Sequence, residues 1–205
     1  MTVSGFSDQA WRAFSDDLMG TIDPQRLALC FDGHIATDLC ERLKASMRLR
    51  ERLAGIVSAR FDLLPLLEDP GGSEGDKAVA MASPEVLLKI VSCAGAIYWS
   101  AAIANTVLAA DVAALQKEIG EELCAFAVKH RDLAGPELTL PPRETLTGEF
   151  SDTGWCCLAA WCDAVDPAIG VRVRLKLPPH AILDAPPPEE FREHGPEIVR
   201  RAAIE

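Results

Sequence analysis

Residues 83–108, SPEVLLKIVSCAGAIYWSAAIANTVL, carry the decision about the fold. Ser83 offers a side-chain oxygen to the free amides of a helix start, Pro84 fits the first turn, and Glu85 sets negative charge at the positive end of the helix dipole. The apolar side chains that follow recur almost all round the helix instead of in one stripe, the pattern of a helix enclosed by others. The run is also about as long as a bilayer span requires. Lys89, Ser92, Ser100 and Asn105 interrupt it, alanine dominates it, and Glu85 and Asp111 flank it where a span would carry basic residues. The reading is a central core helix running to about Leu108. The expected fold class is mostly α, a multi-helix globular domain.

Upstream, Ser7 can cap a short helix in which Trp11, Phe14 and Leu18 share a face, and Asp23 with Pro24 marks a second start. Beyond Gly33 the spacing predicts one longer helix between Asp38 and Arg60. Leu39, Leu43, Met47, Leu53 and Val57 form its apolar stripe, and Arg42, Lys44, Arg48, Arg50 and Arg52 its solvated face. The stretch EDPGGSEGDK joins turn formers to charges and predicts a mobile loop over residues 68–82. It lacks the Gly-Lys-Ser/Thr ending of a phosphate-binding loop.

Downstream, Asp111 caps a helix that buries Val112, Leu115, Ile119, Leu123 and Phe126 and ends at Gly135 and Pro136. An extended linker, PELTLPPRETLTGEF, then delivers the apolar helix WCCLAAWCDAV, which stops near Asp166 and Pro167. The organisation predicted is one helical domain over residues 1–184, with N-terminal helices in 1–67 and a core part in 83–184. Residues 185–205 form a charged C-terminal helix or flexible tail.

One segment breaks the helical pattern. In GVRVRLKLPP, residues 170–179, Val171, Val173, Leu175 and Leu177 alternate with Arg172, Arg174 and Lys176. Period two predicts a short strand near residues 171–177, half buried and half basic, that Pro178 and Pro179 cut short. Such charges guard a sheet edge, or dock an acidic partner surface. Arg172, Arg174 and Lys176 are therefore the candidate partner-binding residues.

A chain of 205 residues can bury a core without metal or disulfides, and its seven cysteines are an odd number with no secretory leader before them. Reduced thiols in a cytoplasmic protein are expected. The formal charge of -11 repels phosphates and argues against nucleic acid as a partner. His34, His130, His180 and His194 lie in separate segments, and Cys156, Cys157 and Cys162 lack the second pair that a structural zinc site needs. No cofactor or metal is expected. A cysteine nucleophile, Cys93 or Cys124, meeting His130 in space would make a small enzyme, but no local motif supports it, and His130 fits a helix C-terminus. A membrane-anchored helical protein is the remaining alternative. Trp99, Trp155 and Trp161 lie in apolar segments and are expected mostly in the core.

From Glu85 to Pro178 the order of features resembles the SctK family of type III secretion, known under names such as YscK, PscK, OrgA and MxiK. The marks are an apolar helix with small residues, VLLKIVSCAGAIYW; a second helix ending in a histidine, FAVKHRDLAGP with His130; and a proline-bearing linker. Gly154 then opens an aromatic and alanine-rich helix, Asp166 and Pro167 make a turn, and RVRLKLP closes the block. The N-terminal third carries no match, and Arg174 stands where the family has a small polar residue. The resemblance implies a non-catalytic accessory protein of the sorting platform at the cytosolic face of the inner membrane. Its members bridge the cytoplasmic domain of the inner-membrane ring protein (SctD) to the pod protein (SctQ), and through the stator (SctL) to the ATPase (SctN).

Overall fold

The computed structural model describes residues 11, 14–66, 72–136 and 139–205, and every regular element among them is a helix. The expected cap at Ser7 lies outside them. In chain order α1 is Leu18–Thr21, α2 Pro24–Leu29, α3 Thr37–Lys44, α4 Arg50–Arg60, α5 Glu74–Met81, α6 Pro84–Tyr98 and α7 Ser100–Ala104. There follow α8 Ala109–Ile119, α9 Glu121–Lys129, a 3-10 turn at Arg131–Leu133, α10 Leu146–Ala164, α11 Pro167–Leu175, α12 Ala181–Asp184 and α13 Glu189–Ile204.

Two helices organise the rest. Ser83 caps α6 by accepting from the Val86 amide, with Pro84 in the first turn as expected. The helix ends at Tyr98 and not at Leu108: Trp99 forms its C-cap, α7 adds one turn, and the chain leaves the helix through a turn at Asn105 before Leu108. No helix among the described residues is long and apolar enough to cross a membrane. Alongside α6 lies α10, whose own outer flank is covered by α13. Trp155, Cys157, Leu158 and Trp161 of α10 share the main core with Leu87, Val91, Ala94 and Ile97 of α6.

Glu189–Ile204 is thus a packed helix; Phe191, Ile198 and Val199 enter the main core, and Phe191 stacks on Tyr98 with centroids 5.0 Å apart. The segment read as a loop is also partly helical. Ser73 and Asp76 form a reciprocal capping box at the start of α5, each side chain satisfying an amide of the other, and this nucleates a turn inside a run of turn formers.

Two further helices divide where one was expected. Residues 45–49 turn the chain between α3 and α4, so Leu53 and Val57 are buried while Leu39 and Met47 stay exposed. Gly120, at φ +93°, separates α8 from α9, a left-handed backbone that side chains avoid. Leu115 is still buried, and Ile119, Leu123 and Phe126 pack against the main core as their spacing predicts.

A second, smaller core joins Met19, Ile22, Leu27, Cys40, Leu53 and Val57 of the N-terminal helices to Leu175 of α11. That contact explains the largest correction to the sequence reading, because residues 167–175 are a helix and not a strand. Asp166 caps it by accepting from the Ala168 amide at 2.7 Å, and Pro167 occupies the first turn. Val173 and Leu177, four apart, enter the main core, while Val171 and Leu175, also four apart, face the small one. Two residues of helix rotate about 200°, so apolar side chains two apart lie on opposite faces. A helix between two cores therefore mimics the alternation of a strand.

Candidate functional site

The three cations of this segment reach inward. Arg172 Nη1 donates to the Leu64 carbonyl at 2.8 Å and to the Ala168 carbonyl at 2.9 Å. Arg174 Nη2 pairs with Asp163 at 2.6 Å, and its Nε donates to the Leu183 carbonyl at 3.1 Å. Lys176 is buried, donating from Nζ to the carbonyls of Ala80 at 2.6 Å and Ala82 at 2.9 Å, with its charge 4.8 Å from the centroid of the Phe14 ring. Burial pushes its pKa down to about 8. The segment thus does not present the row of solvent-facing charges that a half-basic strand would. Its cations satisfy carbonyls at loops and helix ends and clasp α11 to the elements packed around it.

Arg26 belongs to the same clasp and carried no sequence signal beyond its charge. Only 4% exposed, it donates from Nε to the Leu177 carbonyl at 2.9 Å and from Nη2 to the Pro178 carbonyl at 3.2 Å. Its guanidinium also pairs with Asp184 at 2.8 Å. The N-terminal helices are therefore held to the α11–α12 corner by hydrogen-bonded charge as well as apolar contact.

The cysteines and histidines occupy separate surroundings. All seven thiols are free, and burial raises the pKa of each, to about 11 at Cys156 and about 12 at Cys162, whereas a nucleophilic cysteine needs the opposite shift. His130 caps the end of α9, buried against the Phe126 ring at 4.7 Å, with Arg201 and the Glu205 carboxylate as its polar neighbours. His180 stacks on Trp155 at 4.2 Å, and His34 and His194 are exposed. Among the described residues no group of three His, Cys, Asp or Glu could hold a metal ion.

The tryptophans act as joints of the core. Trp99 Nε1 donates to Thr153 Oγ1 at 3.1 Å across the α6–α10 crossing, and Trp161 Nε1 donates to Asp76 at 2.9 Å. Asp76 also receives Arg200 Nε of α13 at 2.7 Å, so one carboxylate ties α5, α10 and α13. A surface groove of about 240 Å³ lies between α8 and the start of α10, lined by Leu115, Leu140, Pro141 and Leu146, with Val107 and Leu108 exposed beside it.

A scan against family models matches residues 34–201 to YOP proteins translocation protein K (YscK). The chain belongs to the YscK family. The match reaches back to residue 34, so about half of the N-terminal third, where the sequence showed no likeness, is included. Two curated relatives are similar to the chain along most of their length. Nodulation protein NolU of Sinorhizobium fredii is 25% identical over 194 residues, covering 92% of this chain and 85% of the relative. Nodulation protein NolU of Rhizobium fredii is 26% identical over 179 residues, covering 84% and 78%. No solved structure matches. The YscK assignment makes this an all-helical protein of type III secretion and protein transport.

Proposed function

We propose that this YscK-family chain is a non-catalytic adaptor of the sorting platform, working at the cytosolic face of the inner membrane. It bridges the cytoplasmic domain of the ring protein SctD to the pod protein SctQ, and so, indirectly, to the stator SctL and the ATPase SctN. The observation that carries this reading is the family match over residues 34–201, which takes in nearly all of the main core and Cys40, Leu53, Val57 and Leu175 of the smaller one. A body laced by Arg26, Arg174 and Lys176 suits a rigid spacer, because a bridge transmits position only if its two ends do not move independently.

The test is reconstitution from purified full-length chain, pod protein and ring-protein cytoplasmic domain of the same secretion system. A ternary complex that co-elutes on size exclusion, and that fails to form when this chain is left out, is the expected outcome. Binding to neither protein overturns the reading.

A further inference from the structure

We infer that the corner joining α3 to α4 is a docking surface for an acidic protein partner. This rests on the adaptor reading and assigns one of its two ends to a place on the fold. Residues 39–60 hold six cations, Arg42, Lys44, Arg48, Arg50, Arg52 and Arg60, against two carboxylates, Glu41 and Glu51, a local charge of +4 in a chain of -11. Lys44 lies 3.8 Å from Glu41, and Arg50 pairs with Asp17. The guanidinium groups of Arg42, Arg48 and Arg52 have no hydrogen bond or ion pair among the described residues, and all three residues are exposed.

Apolar side chains are exposed here as well. Met47, at the turn, is 76% exposed, and Leu39 and Leu49 are 40% and 36% exposed. Arg50, held by Asp17, also donates to Met47 Sδ at 3.8 Å, so the methionine is steadied at the tip of the turn. Leu39 and Arg42 stand one helical turn apart on α3, and Arg48 and Arg52 flank Leu49 where α4 begins. An exposed methionine and two leucines set among free arginines is the composition of an interface core with its charged rim.

Charge complementarity selects the occupant. A surface rich in carboxylates, with a shallow apolar recess for Met47, gains attraction at this corner and is repelled by the rest of the molecule, so it docks in one orientation. Arginine can grip carboxylates through two parallel hydrogen bonds, and unpaired guanidinium groups are free to do so.

The experiment compares full-length wild type with R42E/R48E/R52E, the milder R42Q/R48Q/R52Q, and Met47→Asp. The probes are the purified pod protein, the ring protein's cytoplasmic domain, and phosphatidylcholine vesicles with and without phosphatidylglycerol. Retained helical circular dichroism and thermal midpoint establish that each variant folds. The expected result is a loss of about tenfold or more in affinity for one of the two proteins from each variant. That affinity should also fall with added salt in the wild type and hardly at all in R42Q/R48Q/R52Q. Wild-type binding that all three variants retain overturns the docking corner and leaves the adaptor reading standing, whereas wild type that binds neither protein overturns both. Binding of wild type to phosphatidylglycerol vesicles alone, lost in the variants, overturns the protein partner in favour of an anionic membrane.

Discussion

Gly95 and Gly154 face each other where α6 crosses α10. A Cβ on Gly95 would lie 2.1 Å from the Phe150 carbonyl oxygen, and one on Gly154 would lie 2.1 Å from the Val91 carbonyl oxygen. The obstacles are backbone atoms, which cannot rotate away, so any side chain at either position must push the two central helices apart. Gly95→Ala and Gly154→Ala are each expected to destabilise the protein by about 2–4 kcal/mol through lost packing along the crossing. Urea denaturation measures this, and a change within about 0.5 kcal/mol at either position would show that the helices are free to separate.

Asp76 has a pH signature. Burial works to raise its pKa, but the hydrogen bonds from Arg200, Ser73 and Trp161 outweigh that and hold the carboxyl below the usual value. A depressed carboxyl pKa stabilises the fold above the unfolded-state pKa near 3.9 and loses that contribution as pH falls through the folded value. Asp76→Asn should therefore cost about 1.5–3 kcal/mol near neutral pH. The gap between variant and wild type should shrink as pH is lowered through 4 toward 3. A gap of constant size from neutral to acid pH refutes the charged role.

Lys176 predicts the opposite limb of the profile. Its pKa falls from 10.5 to about 8 in the folded state, so between these values the unfolded chain binds the proton and the folded chain does not. Stability contributed by this group therefore rises with pH across that window, by roughly 3 kcal/mol at most. The buried thiols, whose pKa values are raised, act in the other direction, so the comparison is with Lys176→Met over the same pH series. The wild type should gain on the variant from pH 8 to 10; parallel curves would refute the burial of a titrating amine.

Two thiols of the core carry a labelling prediction. Burial pushes Cys157 above any value at which a thiolate forms near neutrality, and Cys162 is similarly raised, with its pKa pushed up to about 12. Iodoacetamide at neutral pH should leave both unmodified in the native protein and label them on denaturation, which peptide mass spectrometry reads directly. Native labelling of either as fast as a free thiol would overturn their assignment as core residues.

Much of the helical reading rests on short-range chemistry, and it holds at several helix starts. It does not hold at Asp111, which lies inside the first turn of α8 behind Leu108, a residue with no capping side chain. Asp23–Pro24 and Ser83–Pro84 start helices where their side chains and ring geometry dictate, and Asp166 caps α11 by the same rule. What failed at 170–177 was the inference from period to element. Alternation reports which residues are buried, and it equals a strand only if burial occurs on one side. The long helix expected over Asp38–Arg60 failed for a related reason, since Met47 satisfies the apolar spacing while lying on an exposed turn.

The sequence by itself determined that the chain is helical, that the helix capped by Ser83 lies at its centre, and which family it resembles; that the aromatic helix starts at Leu146, inside the expected linker and ahead of Gly154, it did not show. What it determined follows from caps, glycines and apolar spacing, all local to a few residues. Only the tertiary structure decided where the basic side chains point, because their partners are carbonyls far along the chain: Leu64 for Arg172, Ala80 and Ala82 for Lys176, and Leu177 for Arg26. A buried cation needs such acceptors to offset its lost hydration, and no local pattern records which distant loop will supply them.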